Sequence, residues 1–527
     1  MSKYHGMLKD NYEYIPSASD LQFFEKLIPA DHYLRQLKSA IDFRTCRALV
    51  ADCYSPGMGR GALDPVFLLK LLLLEFHYGL SDERVIAESQ VNIAYRFFLD
   101  LPIDAVLPEP SVLSQFRTRL GSKRFESVFQ AILKQARQAG LVKDRLRLKD
   151  ATHVLANIAV PSTIQLIAQI RSQILEAAEC FAPDEVAAHR RVADEVRQAT
   201  ADLKDEARLL KRVEHLREIV SWGDQWLTRL SQASPKLCSV NQQETFKAAL
   251  ELAHKILKDR GPQAPDKTVS LTDPDARSGK HGAFYYGYAL DVSMDADSQI
   301  ICGVEVLPAN CDEAANAKNL IESEEAAQGN NVEALSMDTI GYNGPVIKAL
   351  SDDPEGPQLT VYVPPKEQPP RYPDLFQPDD FKLNDRGDAV ICPNGEQSRY
   401  RCRDQRDHGT QYRFNIKQCR NCPLSAQCLE PAKGEIRKSG RVVSKNDFQA
   451  QYEAAQRRAT TEEYRLIRKE HPAIERKLNE LVRWHDGRHV RYRGRLRVKI
   501  QYLMLAVVVN CKRIVRLLSA APIGQSA

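Results

Sequence analysis

The sequence has no uninterrupted apolar run of the roughly 20 residues that a membrane helix needs. The two stretches that come nearest are 66–76, which Lys70 and Glu75 interrupt, and 502–509, which Asn510 follows. Each suits a buried helix of a globular protein. The first residues, MSKYHGMLKDNYEY, contain no apolar core. We therefore expect no signal peptide, a cytoplasmic location and no membrane partner.

A disulfide framework and a strong net charge are also missing. The 12 cysteines are scattered except between Cys392 and Cys428, and without a secretory signal reduced thiols are expected. The net charge is only +5, but the stretch from Pro431 to Arg516 holds 22 Lys and Arg against 9 Asp and Glu. This local surplus indicates either a phosphate-binding surface or the solvated face of ordinary helices.

The N-terminal region reads as mostly helical. Asp64, followed by Pro65, and Ser81 are typical first positions of helices. After a proline-rich turn, the segment SVLSQFRTRLG predicts a helix that Ser111 caps and whose exposed face carries Arg117 and Arg119. The pattern favours a helix-turn-helix-like DNA reader, with a plain amphipathic bundle as the alternative.

A long helical insert is predicted from about 163 to 260. Isoleucines recur at helical spacing from Ile164 to Ile174, and a second apolar stripe runs from Leu209 to Val220. This predicts a helical hairpin or coiled-coil-like arm. Such an arm binds DNA, binds a second subunit or packs within its own chain.

The order of the remaining patterns predicts the fold class. Strand-like runs and helices alternate after the insert, and the order is typical of a mixed α/β sheet with helices on its faces. The predicted strands are 268–271, 284–294, 299–307, the run ending at Asp338, and 359–363, and the predicted helices are 312–328 and 345–350. Residues 364–450 read as irregular, and the chain is helical again from Thr461.

Three acids are candidates for a metal site. The apolar run 332–337 ends at Asp338, before a glycine turn, and a second strand-like run ends at Asp150. Glu475 lies in a helical pattern far downstream. Two strand-borne aspartates and a helix-borne glutamate are what an RNase H-like nuclease uses to hold two divalent ions, Mg²⁺ or Mn²⁺.

The clustered cysteines have metal-ligand spacing. Cys419 and Cys422 lie three residues apart, Cys428 follows, Cys392 precedes them, and Cys402 and His408 lie between. Thiolates at this spacing can share a tetrahedral Zn²⁺ ion. The alternative is a set of buried or redox-inert thiols.

A basic run follows the Glu475 helix. Its arginines alternate with aromatic and apolar residues. This pattern is typical of segments whose arginines bind phosphates and whose aromatic rings stack on bases. The predicted DNA-binding residues here are Arg483, Arg491, Arg493, Arg495 and Arg497.

Three motifs, taken together in their order along the chain, resemble those of bacterial insertion-sequence DDE transposases. These enzymes have the RNase H fold, and the resemblance is to their IS4-like type. The motifs are LKDATHV around Asp150, DTIGYNG around Asp338, and IERKLNELVRWHDGRHVRYRGRLRVKIQYLMLAVVVN at the C-terminus. NIAYRFFLDL and PEPSVLSQFRTRLG also resemble the helical domain that opens many of these enzymes. The resemblance implies that Asp150, Asp338 and Glu475 are the catalytic, metal-binding triad.

One departure from the family pattern concerns the residues around the glutamate. Tyr464 and Arg468 precede it at unusual spacing, and Val482 stands where a lysine is expected. Arg483 or Lys477 is the candidate replacement for that phosphate contact.

The resemblance also implies an organisation and a function. The segments are a helical N-terminal DNA-binding domain (1–140), a first catalytic strand (141–162), a helical insert (163–262), an RNase H-like core (263–364), a cysteine-rich insert (365–460) and a C-terminal catalytic helix with a basic region (461–527). The expected partners are double-stranded DNA, as inverted-repeat ends and target, and further copies of the chain in a synaptic complex. The alternatives are a transposase-derived regulator without catalysis and an RNase H-fold nuclease without strand transfer.

Overall fold

The computed structural model describes residues 8, 14–55, 61–232, 238–260, 264, 266–366, 372–404, 408–429 and 440–520. The chain forms two compact units. The first unit comprises 1–143, 150–313 and 474–527, and the second comprises 144–149 and 314–473.

The first unit begins with helices. They are α1 (Ala18–Leu27), α2 (Tyr33–Ala40), α3 (Cys46–Val50), α4 (Pro65–Tyr78), α5 (Asp82–Val91), α6 (Ile93–Phe98) and α7 (Ser111–Gln138). Two predicted helix starts are confirmed, because the side chains of Asp64 and Ser81 accept hydrogen bonds from the first turns of α4 and α5. The predicted cap at Ser111 is wrong: Ser111 is the first residue of α7, Pro110 precedes it, and no side chain caps the helix. Gly121, at φ 63°, kinks α7.

Strand β1 (Arg147–Leu155) leads to the helical insert. The insert consists of α8 (Thr163–Ala178), α9 (Pro183–Ala199), α10 (Asp205–Gln232) and α11 (Val240–Asp259). The predicted apolar stripes are largely buried in one shared cluster, in which Ile170, Leu216 and Phe246 are fully inaccessible. The insert is therefore four helices around its own core rather than a two-helix arm.

Three antiparallel strands follow in the first unit: β2 (Arg277–His281), β3 (Ala283–Asp295) and β4 (Ile301–Pro308). Strand β3 pairs with β2 and β4 and also neighbours β1. Asp295 stabilises the β3–β4 turn, since its Oδ2 accepts hydrogen bonds from the backbone N–H and hydroxyl of Ser298. The predicted strand at 268–271 is wrong. Side chains at the end of α11 hold that segment instead, through the N–H and carbonyl of Thr268.

The second unit contains a parallel sheet. Its elements after β1 are α12 (Ala317–Gln328), β5 (Ala334–Ser336), α13 (Gly344–Ser351) and β6 (Thr360–Tyr362). Leu148 of β1 pairs with Ser336, and β5 pairs with β6, both in parallel. Arg147 is fully buried and donates to Glu324 of α12 at 2.6–3.2 Å, which fixes the start of β1 against the helix.

The cysteine-rich region is folded rather than irregular, contrary to expectation. It contains β7 (Lys382–Leu383), β8 (Val390–Ile391), β9 (Tyr400–Asp404), β10 (Gly409–Arg413), α14 (Ile416–Arg420), α15 (Ser425–Cys428) and β11 (Val442–Asn446). Strands β9, β10 and β11 form an antiparallel sheet with β10 in the centre, and β7 pairs with β8. The helices α16 (Gln449–Ala459) and α17 (Glu462–Glu470) complete the second unit.

The chain returns to the first unit within α18 (Pro472–Asn479), which continues as a π-helical turn (Glu480–Trp484). The last helix, α19 (Arg495–Ala520), packs on α2, α4, α7 and β4. The predicted burial of 502–509 is confirmed, as is that of 66–76 in α4. Within the described ranges, no helix has the length and apolar character to span a membrane.

Candidate active site and nucleic-acid surface

Asp150 lies inside a strand. The prediction that the strand ends at this residue is wrong, because β1 continues to Leu155. The residues before Asp150 are buried, whereas Asp150 is only partly buried, and its Oδ1 accepts the N–H of Ala151 at 2.8 Å. A strand interior gives this carboxylate a more rigid support than a strand end would.

Asp338 follows its strand closely. It lies two residues after β5 and precedes a short 3₁₀ helix, Thr339–Gly341. Its Oδ1 accepts the N–H of Ile340 at 3.1 Å. The carboxylate is partly buried, and Oδ1 is the oxygen that caps this turn.

Helix α17 braces the end of β5 beside Asp338. Arg468 Nη1 donates to the carbonyl oxygen of Met337 at 2.7 Å and to Ser336 Oγ at 3.2 Å. The buried His471 ring joins Ser336 Oγ through Nδ1 at 3.1 Å. Burial, aided by the charge of Arg468, lowers the pKa of His471 to about 3, so the ring is neutral. These contacts fix the backbone from which Asp338 projects.

Glu475 lies in the first turn of α18 and is exposed. Two residues near Glu475 in the sequence do not face solvent. Val482 is buried, and the buried Lys477 pairs with Glu480 at 2.8 Å. Arg483 is exposed. Of the two candidate replacements for the missing lysine, only Arg483 therefore presents its charge to solvent.

The three acids belong to different units. Asp150 and Glu475 lie in the first and Asp338 in the second. Among the residues with described positions, no group of three or more His, Cys, Asp or Glu side chains forms a ready-made metal site. The metal-binding triad thus stays a prediction that rests on the resemblance and on the support of each acid.

The basic run is fixed to strand β1 of the first unit. The backbone of Leu155 accepts the N–H of Val490 at 2.9 Å and donates to the carbonyl of Arg488 at 2.8 Å. The run is also held by a loop before β2, where buried Asp273 accepts the N–H of Gly494 at 3.1 Å and Asp275 accepts that of Arg495 at 3.0 Å. The backbone of this run is therefore in place before any ligand binds.

The predicted DNA-binding arginines fall into two groups. Four of them are exposed, namely Arg483, Arg493, Arg495 and Arg497. The others make contacts within the first unit: Arg119 lies 4.7 Å from the ring centroid of Tyr54, and Arg117 and Arg491 enter an ion-pair network. The exposed group is the one available to phosphate.

The ion-pair network joins the N-terminal helices to the basic run. Arg117 donates to Asp82 at 2.6 and 2.8 Å, and both Arg117 and Arg491 approach Glu75, at 3.4 and 3.5 Å. Tyr492 lies under the Arg117 guanidinium, 5.2 Å from it. Burial raises the pKa of Glu75 to about 8 against the pull of Arg117. Arg117 and Arg491 thus have a structural role here.

Trp484 was not identified from the sequence. Its side chain is 82% exposed, beside Arg483 on the π-helical turn. The sequence contained one signal for its exposure. Leu478, Leu481 and Val482 form the buried stripe of this helix, and Trp484 lies outside that stripe. An exposed tryptophan next to an arginine suits stacking on a base.

The four candidate zinc ligands lie around one cavity of the second unit. Cys392, Cys419, Cys422 and Cys428 line it together with Phe381, Phe414 and Arg441. Burial, with the neighbouring thiols of Cys419, Cys392 and Cys422, raises the pKa of Cys428 to about 11. None of the 12 cysteines forms a disulfide in this structure.

Comparisons with known families give two matches. The Transposase domain (DUF772) matches residues 22–119, and the Transposase DDE domain matches residues 391–515. The second range includes Glu475 and begins beyond Asp150 and Asp338. Searches of curated proteins and of solved structures find no match. The two matches, one toward each end of the chain, are both to transposase domains and support an insertion-sequence transposase of the DDE class.

Proposed function

We propose that this transposase cleaves the inverted-repeat ends of its insertion sequence and joins them to target DNA. The observation that carries the proposal is the arrangement of β1, which holds Asp150 and also pairs through Leu155 with the basic run. A catalytic carboxylate and a phosphate-binding segment are thereby built on one strand. Such rigid placement of reacting groups is a main source of rate enhancement.

The strand arrangement supports an RNase H-like core. In the first unit β4 pairs with β3 and β3 neighbours β1, and in the second β1, β5 and β6 run in parallel. Leu148 pairs with Ser336, and Asp150 and Asp338 each lie two residues further along their chains. Asp150 lies within β1, whereas Asp338 follows the end of β5.

The three carboxylates suit a divalent cation. Each is at least partly accessible, and the set offers only hard oxygen ligands, which Mg²⁺ and Mn²⁺ prefer. When bound, two such ions would activate the attacking water or 3′-hydroxyl and stabilise the leaving oxygen. In this proposal Asp150, Asp338 and Glu475 hold the ions, and Arg468 and His471 position the Asp338 backbone.

The exposed basic residues would bind the DNA backbone. Arg483, Arg493, Arg495 and Arg497 neutralise phosphates, while Trp484 stacks on an unpaired base. Two ends of one element must be held together during transposition, so we expect a homo-oligomer in the synaptic complex. The IS4-like type belongs to this proposal too.

The test uses labelled DNA that carries the element's own ends. With Mg²⁺ or Mn²⁺, the wild-type chain should nick the 3′ strand and join it to target DNA. Asp150→Asn, Asp338→Asn and Glu475→Gln should each reduce both steps about a thousandfold or more, because several kcal/mol of transition-state stabilisation is lost. Asp352→Asn, an exposed acid after α13, is the matched control and should retain full activity.

Two results would contradict the proposal. If end DNA is bound but never cut, and the three substitutions leave cellular function unchanged, the chain is a transposase-derived regulator. If every product ends in a water-attacked strand and none is joined, it is a nuclease without strand transfer.

A further inference from the structure

The cavity among the cysteines is small and has room for an ion. Its volume is about 30 Å³, more than the roughly 10–15 Å³ that one water molecule needs. Four separate positions contribute thiols to the lining, beside Glu396, Gln418 and Ser425. Thiolates are preferred ligands of zinc.

Turns bring the four thiols to the cavity from three short elements. Cys392 directly follows β8, and the N–H of Gly395, at φ +84°, closes a tight turn onto its carbonyl at 2.8 Å. Cys419 lies in α14, Cys422 follows two residues after that helix, and Cys428 ends α15. The C-x2-C spacing places the sulfurs of Cys419 and Cys422 near each other, and those of Cys392 and Cys428 complete the set of four ligands.

The surrounding fold is too small to be held by its apolar core alone. Its cluster consists of Phe381, Val390, Tyr412, Phe414 and Val443, and the paired strands are two to five residues long. Regions of this kind are commonly stabilised by disulfides or a metal. All four cysteines are free, so their thiols are available to a metal ion that would cross-link the region.

Arg441 provides the electrostatic partner that such a site needs. Its backbone N–H donates to Cys419 Sγ at 3.5 Å, and its guanidinium lines the cavity while donating to the carbonyl of Phe376 at 2.8 Å. Four thiolates around Zn²⁺ carry two net negative charges. An N–H···S bond and a fixed cation beside the sulfurs offset that charge.

The other candidate ligands lie outside the cavity. Cys402 is exposed on β9, and the exposed His408 faces Phe448, at 5.7 Å between ring centroids. The choice among six candidate ligands is thereby reduced to four thiols.

We propose that the transposase binds one structural Zn²⁺ ion through Cys392, Cys419, Cys422 and Cys428. The described residues contain no ready-made cluster of three or more such ligands, so the four side chains must move closer together to bind the ion. Zn²⁺, at about 2.3 Å from each sulfur, draws the side chains inward. Binding replaces the four S–H protons, which pass to solvent, and no atom changes its oxidation state.

The experiment is zinc analysis of the full-length protein, purified under reducing conditions without chelator. We expect one zinc per chain in the wild type and in Cys402→Ser, which is the matched control from the same region. Cys422→Ser and Cys428→Ser should retain essentially none. Wild-type protein that holds no zinc after incubation with equimolar Zn²⁺ and dialysis would overturn the proposal, as would full zinc content in both variants.

A second measurement does not depend on the folding of a variant. Co²⁺ added to the zinc-stripped wild type should produce thiolate-to-cobalt charge-transfer absorption and the spectrum of a tetrahedral site. Absence of that absorption would overturn the assignment. So would a thiol titration of the denatured, unreduced protein that finds four of the 12 cysteines paired as disulfides.

Discussion

At the scale of single residues, position decides which arginines are available to DNA. Arg117 and Arg493 carry the same charge, yet Arg117 is enclosed by Asp82, Glu75 and Tyr492, while Arg493 is exposed. The sequence predicts a basic character for both but contains no signal for their partners. The network depends on contacts between residues up to 416 positions apart, as between Arg491 and Glu75. Only the fold could separate the two roles.

Arg117→Ala should therefore lower the stability of the protein, whereas Arg493→Ala should weaken its binding to DNA. Loss of Arg117 leaves Asp82 and the buried Glu75 without their guanidinium partner and should lower the free energy of unfolding by about 1–3 kcal/mol. Loss of Arg493 should leave stability unchanged, weaken DNA binding and reduce the slope of log affinity against log salt by about 0.9. Urea denaturation and binding across a salt series measure the two effects. Equal loss of stability in both variants would contradict the assignment.

At the scale of elements, sequence patterns identified the long helices and missed the short, paired strands of the cysteine-rich region. Helices such as α4 and α8 have caps and apolar periods within their own residues, so local sequence suffices to predict them. Strands β7 to β11 are two to five residues long and exist through pairing with distant partners. The continuation of β1 past Asp150 was missed for the same reason, because its partner β3 lies beyond a four-helix insert.

Helix α17 and β5 form a contact that should respond to acid. The pKa of His471 is lowered to about 3, so the folded chain keeps this ring neutral while the unfolded chain protonates it below about 6.5. The associated stability is fully present above pH 6.5 and is lost as the pH falls toward 3. In this pH range, His471→Gln should reduce the slope of the unfolding free energy of the second unit against pH, by up to about 1.4 kcal/mol per pH unit.

Denaturation at a series of pH values, followed by hydrogen exchange of 334–338, would measure this effect. His254→Gln, on the exposed surface of α11, is the control and should keep the wild-type slope. An unchanged slope in His471→Gln would contradict a role for this ring.

At the scale of the whole molecule, the chain divides into two units that each have a core of their own. Neither unit is continuous in sequence, so a division into six consecutive segments cannot show how the segments group. A similar limit applies to the candidate site. Each candidate acid was proposed from a local motif, whereas the contacts that hold the Asp338 backbone and the basic run come from residues far away in the chain.

Two matched core substitutions should separate the units. Phe246 in the insert and Phe414 in the cysteine-rich region are both buried, and truncation of either to alanine should cost about 3–5 kcal/mol. Hydrogen-exchange mass spectrometry should show lost protection in α8–α11 for Phe246→Ala and in β7–β11 for Phe414→Ala. Loss of protection throughout the chain in either variant would show a single cooperative structure instead.

The packing of α19 also has a consequence for synthesis on the ribosome. Helices α2, α4 and α7 emerge early, but the surface that α19 covers stays open until residues 495–520 have been translated. At 5–20 residues per second this interval lasts roughly 20 to 70 s. Throughout that time the nascent chain displays an apolar face to the cell, so its yield should depend on chaperones that engage growing polypeptides.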